Sequence, residues 1–419
     1  MKNILLITQG FPPGNTPESI QSLKFAKYVA KEYETNLHVL AQEFGKTSAY
    51  YDSNLYQYLE NCNIVIHSAP NLMKFLPKNK IFTKIFFKVL LFLGLPTVDM
   101  LWYPMAIRKA KKLIAETDFD LIYTRACGHV SNVIGLKLKK ITGKPWIAHF
   151  SDPWFDNPIL NLNLFQKHIT KKLEQEIINK ADRIIFVNEE MKKIIMDKYH
   201  SDLINKIRVI PHAIDFEELK IYSVNSFSKK DENFIITHAG SFYKKFRTPY
   251  LLLKAIDELI SEKKINKKNI ELRFLGPSKK ELEADLKRID FETTQIKNFG
   301  FLSRKETLSL CSQSDVFILI DANINGRSCF LPSKIFDYLL FDIPIIGVTP
   351  LGSPSQLVLD YFGFDVCNPV DIESLKQMIM KYYCSNRNSG RFTNDQMRKS
   401  KFAIEELGEK LLGVFNEVL

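Results

Sequence analysis

The segment Leu331-Pro332-Ser333-Lys334-Ile335-Phe336-Asp337-Tyr338-Leu339-Leu340 sets a cation and a carboxylate three residues apart, behind a proline. Proline suits the first turn of a helix, and residues three apart share a helical face. Such a helix start turns free N–H groups and the positive dipole end toward the preceding loop, which makes an anion site. Lys334 is thus placed for phosphate and Asp337 for sugar hydroxyls. The apolar run Ile343-Pro344-Ile345-Ile346-Gly347-Val348 follows and reads as a strand.

Other segments carry chemistry in similar places. His238-Ala239-Gly240-Ser241-Phe242-Tyr243-Lys244-Lys245-Phe246-Arg247 follows a predicted strand. Gly240 and Ser241 let a backbone approach a ligand, and Arg247 with Lys244 or Lys245 suits a diphosphate, through forked hydrogen bonds from the guanidinium. Trp146-Ile147-Ala148-His149-Phe150-Ser151-Asp152 sets His149 and Asp152 at a strand end, where a histidine can bond a sugar hydroxyl or hold a developing charge. The turn Gly10-Phe11-Pro12-Pro13-Gly14-Asn15-Thr16 lies between the first strand and a helix. It is not G-x-G-x-x-G, so it carries no dinucleotide fingerprint, and Pro13, Gly14 and Asn15 are expected to contact ligand by position. Asn298-Phe299-Gly300-Phe301-Leu302 reads as a short loop able to hold a base. Asp118-Phe119-Asp120 has the D-x-D spacing of metal-dependent transferases, but it precedes a strand and reads as a polar connection.

The elements that must position these groups alternate along the chain. Predicted strands at Asn3–Thr8, Asn36–Ala41, Asn63–His67, Asp120–Thr124, Trp146–Phe150, Arg183–Val187 and Arg208–Ile210 alternate with helices such as Ser19–Lys31, Ala106–Glu116 and Gln166–Lys180. The pattern restarts after the polar stretch Ser223–Asn233, with strands at Phe234–Ala239, Ile270–Leu275, Asp315–Ile320, Ile343–Val348 and Asp365–Asn368. Helices at Pro249–Glu262, Lys279–Arg288, Lys305–Ser312 and Ser333–Leu340 lie between them. Continuous apolar strands without alternation suit parallel sheets covered on both faces. The fold class is therefore α/β, with two doubly wound domains whose ligand loops follow the strands. The expected division is 1–215, 216–393 and a last helix, 394–419, returning to the first domain.

Composition narrows the rest. At 419 residues, 45% hydrophobic and 25% charged, the chain is of globular type and too long for one ordinary core. Six cysteines without paired spacing suggest neither a disulfide framework nor a zinc knuckle. The first apolar run, Ile4-Leu5-Leu6-Ile7, is too short for a signal-peptide core, and no run reaches the roughly 18 residues of a membrane span. A cytoplasmic protein is expected. The net charge is +11, much of it in the basic-apolar segment 72–112. There Lys74, Lys78, Lys80, Lys84 and Lys88 interleave with Phe75, Phe82, Phe86, Phe87 and Phe92. That pattern fits either a helix pair on the inner, anionic face of a membrane or an ordinary core-packed excursion. No nucleic-acid module is visible.

With these residues assembled, the chain resembles the retaining GT-B glycosyltransferases of family four (group 1 type). The resemblance spans nearly the whole length. It is carried chiefly by Pro332–Leu339 with Ile343–Ile346, which is similar to the family's P-S-K-hydrophobic-F-E-Y segment. Ala239–Arg247 is similar to its donor-phosphate loop, and Pro211-His212-Ala213-Ile214-Asp215 to its interdomain link. The resemblance implies a GT-B fold, two Rossmann-like domains facing a central cleft, and a nucleotide-diphosphate sugar as donor.

Asp337 would hold the ribose. The backbone at Phe330, Leu331 and Ser333, with Lys334, Arg247 and a neighbouring lysine, would hold the diphosphate. Gly300, Phe301 and Leu302 would meet the base. His149 would lie beside the transferred sugar, and the Pro13–Asn15 loop near phosphate or acceptor. No metal or other cofactor is expected. The acceptor implied is a glycan or a polyprenyl-linked sugar, in surface-polysaccharide biosynthesis. The family's Glu, seven residues, Glu pattern is altered: its second position is Asp337 and its first is Cys329, which cannot act as a carboxylate. Two other readings fit the same sequence, a GT-B sugar-nucleotide epimerase, which needs a paired acid and base, and a non-catalytic lipid-binding homologue.

Overall fold

The computed structural model describes residues 1–76, 79, 85–86, 90, 95–126, 128–199, 201–225, 233–243, 245–276, 279–289, 296–386 and 396–419. The chain divides into two compact units, Met1–Ala213 with Ile404–Leu419, and Ile214–Ala403.

The first unit is a seven-stranded, all-parallel sheet. In chain order its strands are β1 (Lys2–Thr8), β2 (Thr35–Gln42), β3 (Ile64–Ala69), β4 (Leu121–Ala126), β5 (Trp146–Phe150), β6 (Arg183–Phe186) and β7 (Ile207–Val209). Their spatial order is β3-β2-β1-β4-β5-β6-β7. The order reverses between β1 and β4, and that is where doubly wound sheets bind ligands. Helix α1 (Pro17–Glu32) starts where Thr16 caps it, its Oγ1 accepting from the Ser19 N–H at 3.1 Å, with Pro17 in the first turn. Helices α2 (Tyr103–Glu116), α3 (Val130–Thr142), α4 (Leu164–Lys180) and α5 (Glu189–Met196) complete the layers. The core joins β1, β4, β5 and β6 to α2 and α3 through Leu5, Ile122, Ile134, Trp146 and Ile184, all fully buried.

The second unit opens with the short helix α6 (Glu217–Ile221) and holds a six-stranded parallel sheet. Its strands are β8 (Phe234–Ala239), β9 (Ile270–Leu275), β10 (Ile296–Gly300), β11 (Val316–Ile320), β12 (Ile345–Val348) and β13 (Asp365–Cys367), in the order β10-β9-β8-β11-β12-β13. The order reverses here between β8 and β11. The flanking helices are α7 (Tyr250–Ser261), α8 (Lys279–Ile289), α9 (Arg304–Cys311), α10 (Lys334–Tyr338), α11 (Pro354–Phe362), α12 (Ile372–Asn386) and α13 (Gln396–Ser400).

Two sequence expectations change. Asn298–Gly300, read as loop, ends the edge strand β10, so only Phe301 and Leu302 lie beyond the ladder. The helix expected over 333–340 is only Lys334–Tyr338. It tightens into i→i+3 bonds at Leu340 and Phe341, and Pro344 then biases Ile343 toward an extended backbone. In the basic-apolar segment, Lys78, Lys80, Lys84 and Lys88 lie outside the described residues. Past that gap, Trp102 is fully buried and its indole N–H donates to the Ala69 carbonyl at 3.0 Å.

The last helix, α14 (Ile404–Asn416), belongs to the first unit. Tyr28 of α1 donates to Glu409 at 2.7 Å, and Arg183 and Arg208 hold Glu417. Gly408 admits this packing, because a Cβ there would meet the Tyr28 ring at 2.2–2.6 Å. Those ring atoms lie near the backbone and cannot swing away. Gly408→Val is therefore expected to destabilise the first unit by about 1–3 kcal/mol, through overpacking. A lower urea midpoint for its transition checks this, and Gly413→Val, where a Cβ meets nothing within 4 Å, is the control.

Candidate functional site

In the second unit the site is built on the switch point between β8 and β11. His238, near the end of β8, is fully buried. Its Nδ1 lies 3.0 Å from the Ile318 carbonyl on β11. That contact requires a proton on Nδ1, so Nε2 is left as acceptor for the Lys334 ammonium at 3.3 Å. Burial, and then the charge of Lys334, hold the imidazole well below the usual histidine range, so it stays neutral. Phe242 stacks on the ring, centroids 4.7 Å apart.

Gly240 follows directly, at φ 127°, a conformation that favours glycine. A Cβ there would stand 2.5 Å from the Lys334 Nζ. The glycine thus brings backbone and cation together. Burial, and next the charge of Arg247, lower the Lys334 pKa well below the ordinary lysine range, while Asp321 and Asp337 oppose the shift. Arg247, 9% exposed, reaches Asp321 at 3.4 Å and lies over the Tyr243 ring. Asp321, at the end of β11, also accepts from the Ala322 N–H, the Thr349 hydroxyl and the Ser355 hydroxyl, at 2.7, 3.2 and 2.6 Å. Its carboxylate is fixed from four sides and holds Arg247 near Lys334. Two cations and a glycine turn at a switch point can bind an anion with several oxygens.

The remaining expected residues fall differently. Lys245 is exposed at φ 78°, and Lys244 lies outside the described residues. Ser241 and Ser333 are partly exposed, whereas the side chains of Phe330 and Leu331 are buried, as is Cys329. Only backbone from Phe330 and Leu331 is open to a ligand role. Gly300 has φ 64° with open space where a Cβ would stand. Phe301 and Leu302, partly exposed, lead into α9, whose capping box joins Ser303 and Glu306.

Lys334 and Asp337 take different hydrogen-bond partners. Asp337 is engaged by Arg304 of α9, with Nη2–Oδ1 at 2.7 Å and Nη1–Oδ2 at 3.1 Å. The same guanidinium donates from Nε and Nη2 to Glu218 of α6, at 2.6 and 2.9 Å. Sequence reading missed both Arg304 and Glu218. One signal was available: a cation in the first turn of a helix opposes the macrodipole, so Arg304 needed a carboxylate partner from elsewhere.

In the first unit, His149 on β5 pairs in register with Arg125 on β4. His149 is 2% exposed, and burial followed by Arg125 and His212 keeps it well below the histidine range. It is therefore a neutral hydrogen-bonding group. Arg125, also missed, stands 3.6 Å from Glu18, donates to the Tyr123 hydroxyl at 3.1 Å and lies over Phe25. An arginine inside an apolar strand had to be paired, which was the available signal. Glu18 in turn accepts from Ser151, the neighbour of the partly exposed Asp152, at 3.0 Å. His129 stacks on Trp154, and burial pushes its pKa down to about 3. The Pro13–Asn15 turn is tied to residues 50–52: the Pro13 carbonyl accepts from the Asp52 N–H at 2.8 Å and the Asn15 N–H donates to the Tyr50 carbonyl at 2.6 Å. Gly14 lies against Phe44, with no room for a Cβ. Asp118 and Asp120 are structural, bonded to Lys144 and to the Asn3 N–H. Among the described residues no group of three or more His, Cys, Asp and Glu is placed to hold a metal ion.

Comparison with known proteins agrees with this architecture. Residues 65–218 match the family model described as Glycosyltransferase Family 4. No curated protein matches the sequence. Three solved structures align over their lengths. Anabaena HepE, solved in complex with UDP-glucose, is 14% identical with TM-score 0.64, covering 100% of both chains. Sucrose-phosphate synthase from Thermosynechococcus elongatus is 13% identical with TM-score 0.68, covering 100% of this chain and 99% of that one. The lipopolysaccharide outer core galactosyltransferase WaaB is 12% identical with TM-score 0.58, covering 100% of both. At these identities the likeness is one of fold. The chain has the GT-B fold of two Rossmann-like units and resembles the family-four, group 1 glycosyltransferases, with the family-model match falling on residues 65–218.

Proposed function

We propose that the chain transfers a sugar from a nucleotide-diphosphate donor to a glycan or polyprenyl-linked acceptor, with retention of anomeric configuration, in surface-polysaccharide assembly. The observation that carries this reading is that Lys334 ends beside the Gly240 turn, within reach of the charge of Arg247, at the β8–β11 switch point. HepE, whose structure holds UDP-glucose, and the lipopolysaccharide transferase WaaB share this fold and support the choice of donor and setting.

In the reaction, the bond from the sugar's anomeric carbon to the diphosphate breaks, and the acceptor oxygen bonds to that carbon on the same face. The acceptor proton passes to the leaving phosphate. Lys334 and Arg247 stabilise the charge that develops on the diphosphate, a role that suits fixed cations in a water-poor site. Asp337 takes the ribose, and Gly300 to Leu302 the base. His149, kept neutral, offers a hydrogen bond to the transferred sugar, with Asp152 beside it as the second candidate catalytic residue and the Pro13–Asn15 turn on the phosphate or acceptor side. No metal is required in this scheme. Peripheral attachment to an anionic membrane from the cytoplasmic side is supported by the +11 charge and by exposed Phe75, Ile85, Leu164 and Phe165. Among the described residues no helix is long and apolar enough to cross a membrane.

Four measurements test these assignments. Thermal shift with UDP, GDP, ADP and CMP should identify the base, since a specific ligand stabilises by mass action. Against that nucleotide, Asp337→Ala should lose about tenfold or more in affinity by calorimetry, as expected when a charge-assisted hydrogen bond is removed; unchanged affinity would contradict the donor assignment. The depressed pKa of Lys334 gives a pH test. A bound anion raises that pKa, so pyrophosphate binding should take up protons. Affinity should then fall as pH rises toward the ordinary lysine pKa of about 10.4, while Lys334→Met should bind more weakly and lose that component. Finally, phosphatidylglycerol vesicles should retain the protein at low salt and release it at high salt, and equal binding to neutral vesicles would contradict the membrane reading.

A further inference from the structure

Asp337 is one methylene shorter than the glutamate that the related pattern carries, so its reach and rotamer are less forgiving. What fixes it is Arg304. Four of the five guanidinium N–H donors are spent in two forks, two on Glu218 and two on Asp337. The carboxylates differ in exposure: the Glu218 side chain is 1% exposed and that of Asp337 is 23% exposed. Glu218 is the buried anchor, and Asp337 is the open end. A carboxylate has about four lone-pair sites, so one that accepts a two-point fork also has the capacity to accept from the 2′- and 3′-hydroxyls of a ribose approaching its open side.

A structural clasp between α6 and α9 needs only the Glu218–Arg304 pair. The second carboxylate is held by its own two-point fork from the same guanidinium, on the more exposed side of the pair. The second fork holds Asp337 in one orientation. Lysine, with one nitrogen, cannot reproduce two planar forks. The chain neighbours of Asp337 serve the core instead. Phe336 and Tyr338 are buried, and the Tyr338 hydroxyl oxygen accepts from the Ala239 N–H at 2.8 Å.

We propose that Arg304, anchored by Glu218, is a positioning residue that sets Asp337 to recognise the ribose diol of the donor, and so makes the site selective for ribonucleotides over 2′-deoxyribonucleotides. This rests on the donor reading of Asp337 given above. The test is calorimetry with UDP, GDP and ADP, each beside its 2′-deoxy form, and with inorganic pyrophosphate as a ligand lacking ribose. Wild type should prefer the ribonucleotide about tenfold or more. Arg304→Lys and Glu218→Gln should each bring the preference within about threefold, with pyrophosphate affinity unchanged, and Asp337→Asn should remove it. Glu218→Gln keeps the Arg304 guanidinium but removes one of the two acceptors that anchor it, so it serves if Arg304→Lys does not fold.

The outcomes separate the two readings. If wild type shows no ribose preference, or Asp337→Asn keeps it, the assignment of Asp337 fails. If Asp337→Asn loses the preference while the folded Arg304 and Glu218 variants retain it in full, the positioning role fails and the donor reading stands. If those variants lose pyrophosphate and nucleotide binding alike, Arg304 is a general structural clasp and the proposal is overturned.

Discussion

Lys334 and Arg247 repel one another, and the second unit is organised around keeping them close. Burial, and next the charge of Arg247, lower the tendency of Lys334 to hold its own charge. Asp321 offsets it from one side, tied down by Thr349, Ser355 and the Ala322 N–H. His238 accommodates it from another, because its Nδ1 contact with Ile318 fixes the neutral tautomer that accepts from the ammonium. Gly240 removes the side chain that would stand where Lys334 ends. These groups sit at the ends of β8 and β11, in the turns beyond β8, β11 and β12, or in the first turns of α10 and α11. The sheet order is therefore a condition for the charge cluster.

The first unit solves a related problem with fewer groups. Arg125 is a buried cation on a central strand, compensated by Glu18 at the start of α1 and by the face of Phe25. Burial, and then the Arg125 charge, keep the adjacent His149 neutral. A neutral imidazole suits hydrogen bonding to a sugar better than it suits proton transfer at ordinary pH. Glu18 links the cation to Ser151, so the strand-end turn beside Asp152 is held by the same carboxylate that balances Arg125.

Much of the fold was legible because parallel strands covered on both faces are continuous apolar runs. Trp146–Phe150 and Phe234–Ala239 appear in the structure with the predicted bounds. The edge strand Ile296–Gly300 was not legible, since it is short, polar and only partly buried, and carries a glycine at its end. The site was legible where residue type alone implies chemistry, as at Lys334, Arg247 and Gly240. It was illegible where the chemistry lies in a pairing between distant residues. Helical spacing put Lys334 and Asp337 on one face, but α10 has only five residues, and each side chain follows its own tertiary partner, His238 for one and Arg304 for the other. Glu218, Arg304 and Asp337 meet from three helices, and no local pattern encodes that meeting.

The central claim is that the second unit holds a nucleotide diphosphate at the β8–β11 switch point. Hydrogen exchange with and without the stabilising nucleotide tests it most directly, since bound ligand suppresses local opening. The account predicts new protection at Ala239–Arg247 and across Asp321–Asp337, with Lys334→Met abolishing it at the same nucleotide concentration. Protection confined to the other edge of the sheet, around β12 and β13, or unchanged by Lys334→Met, would contradict it.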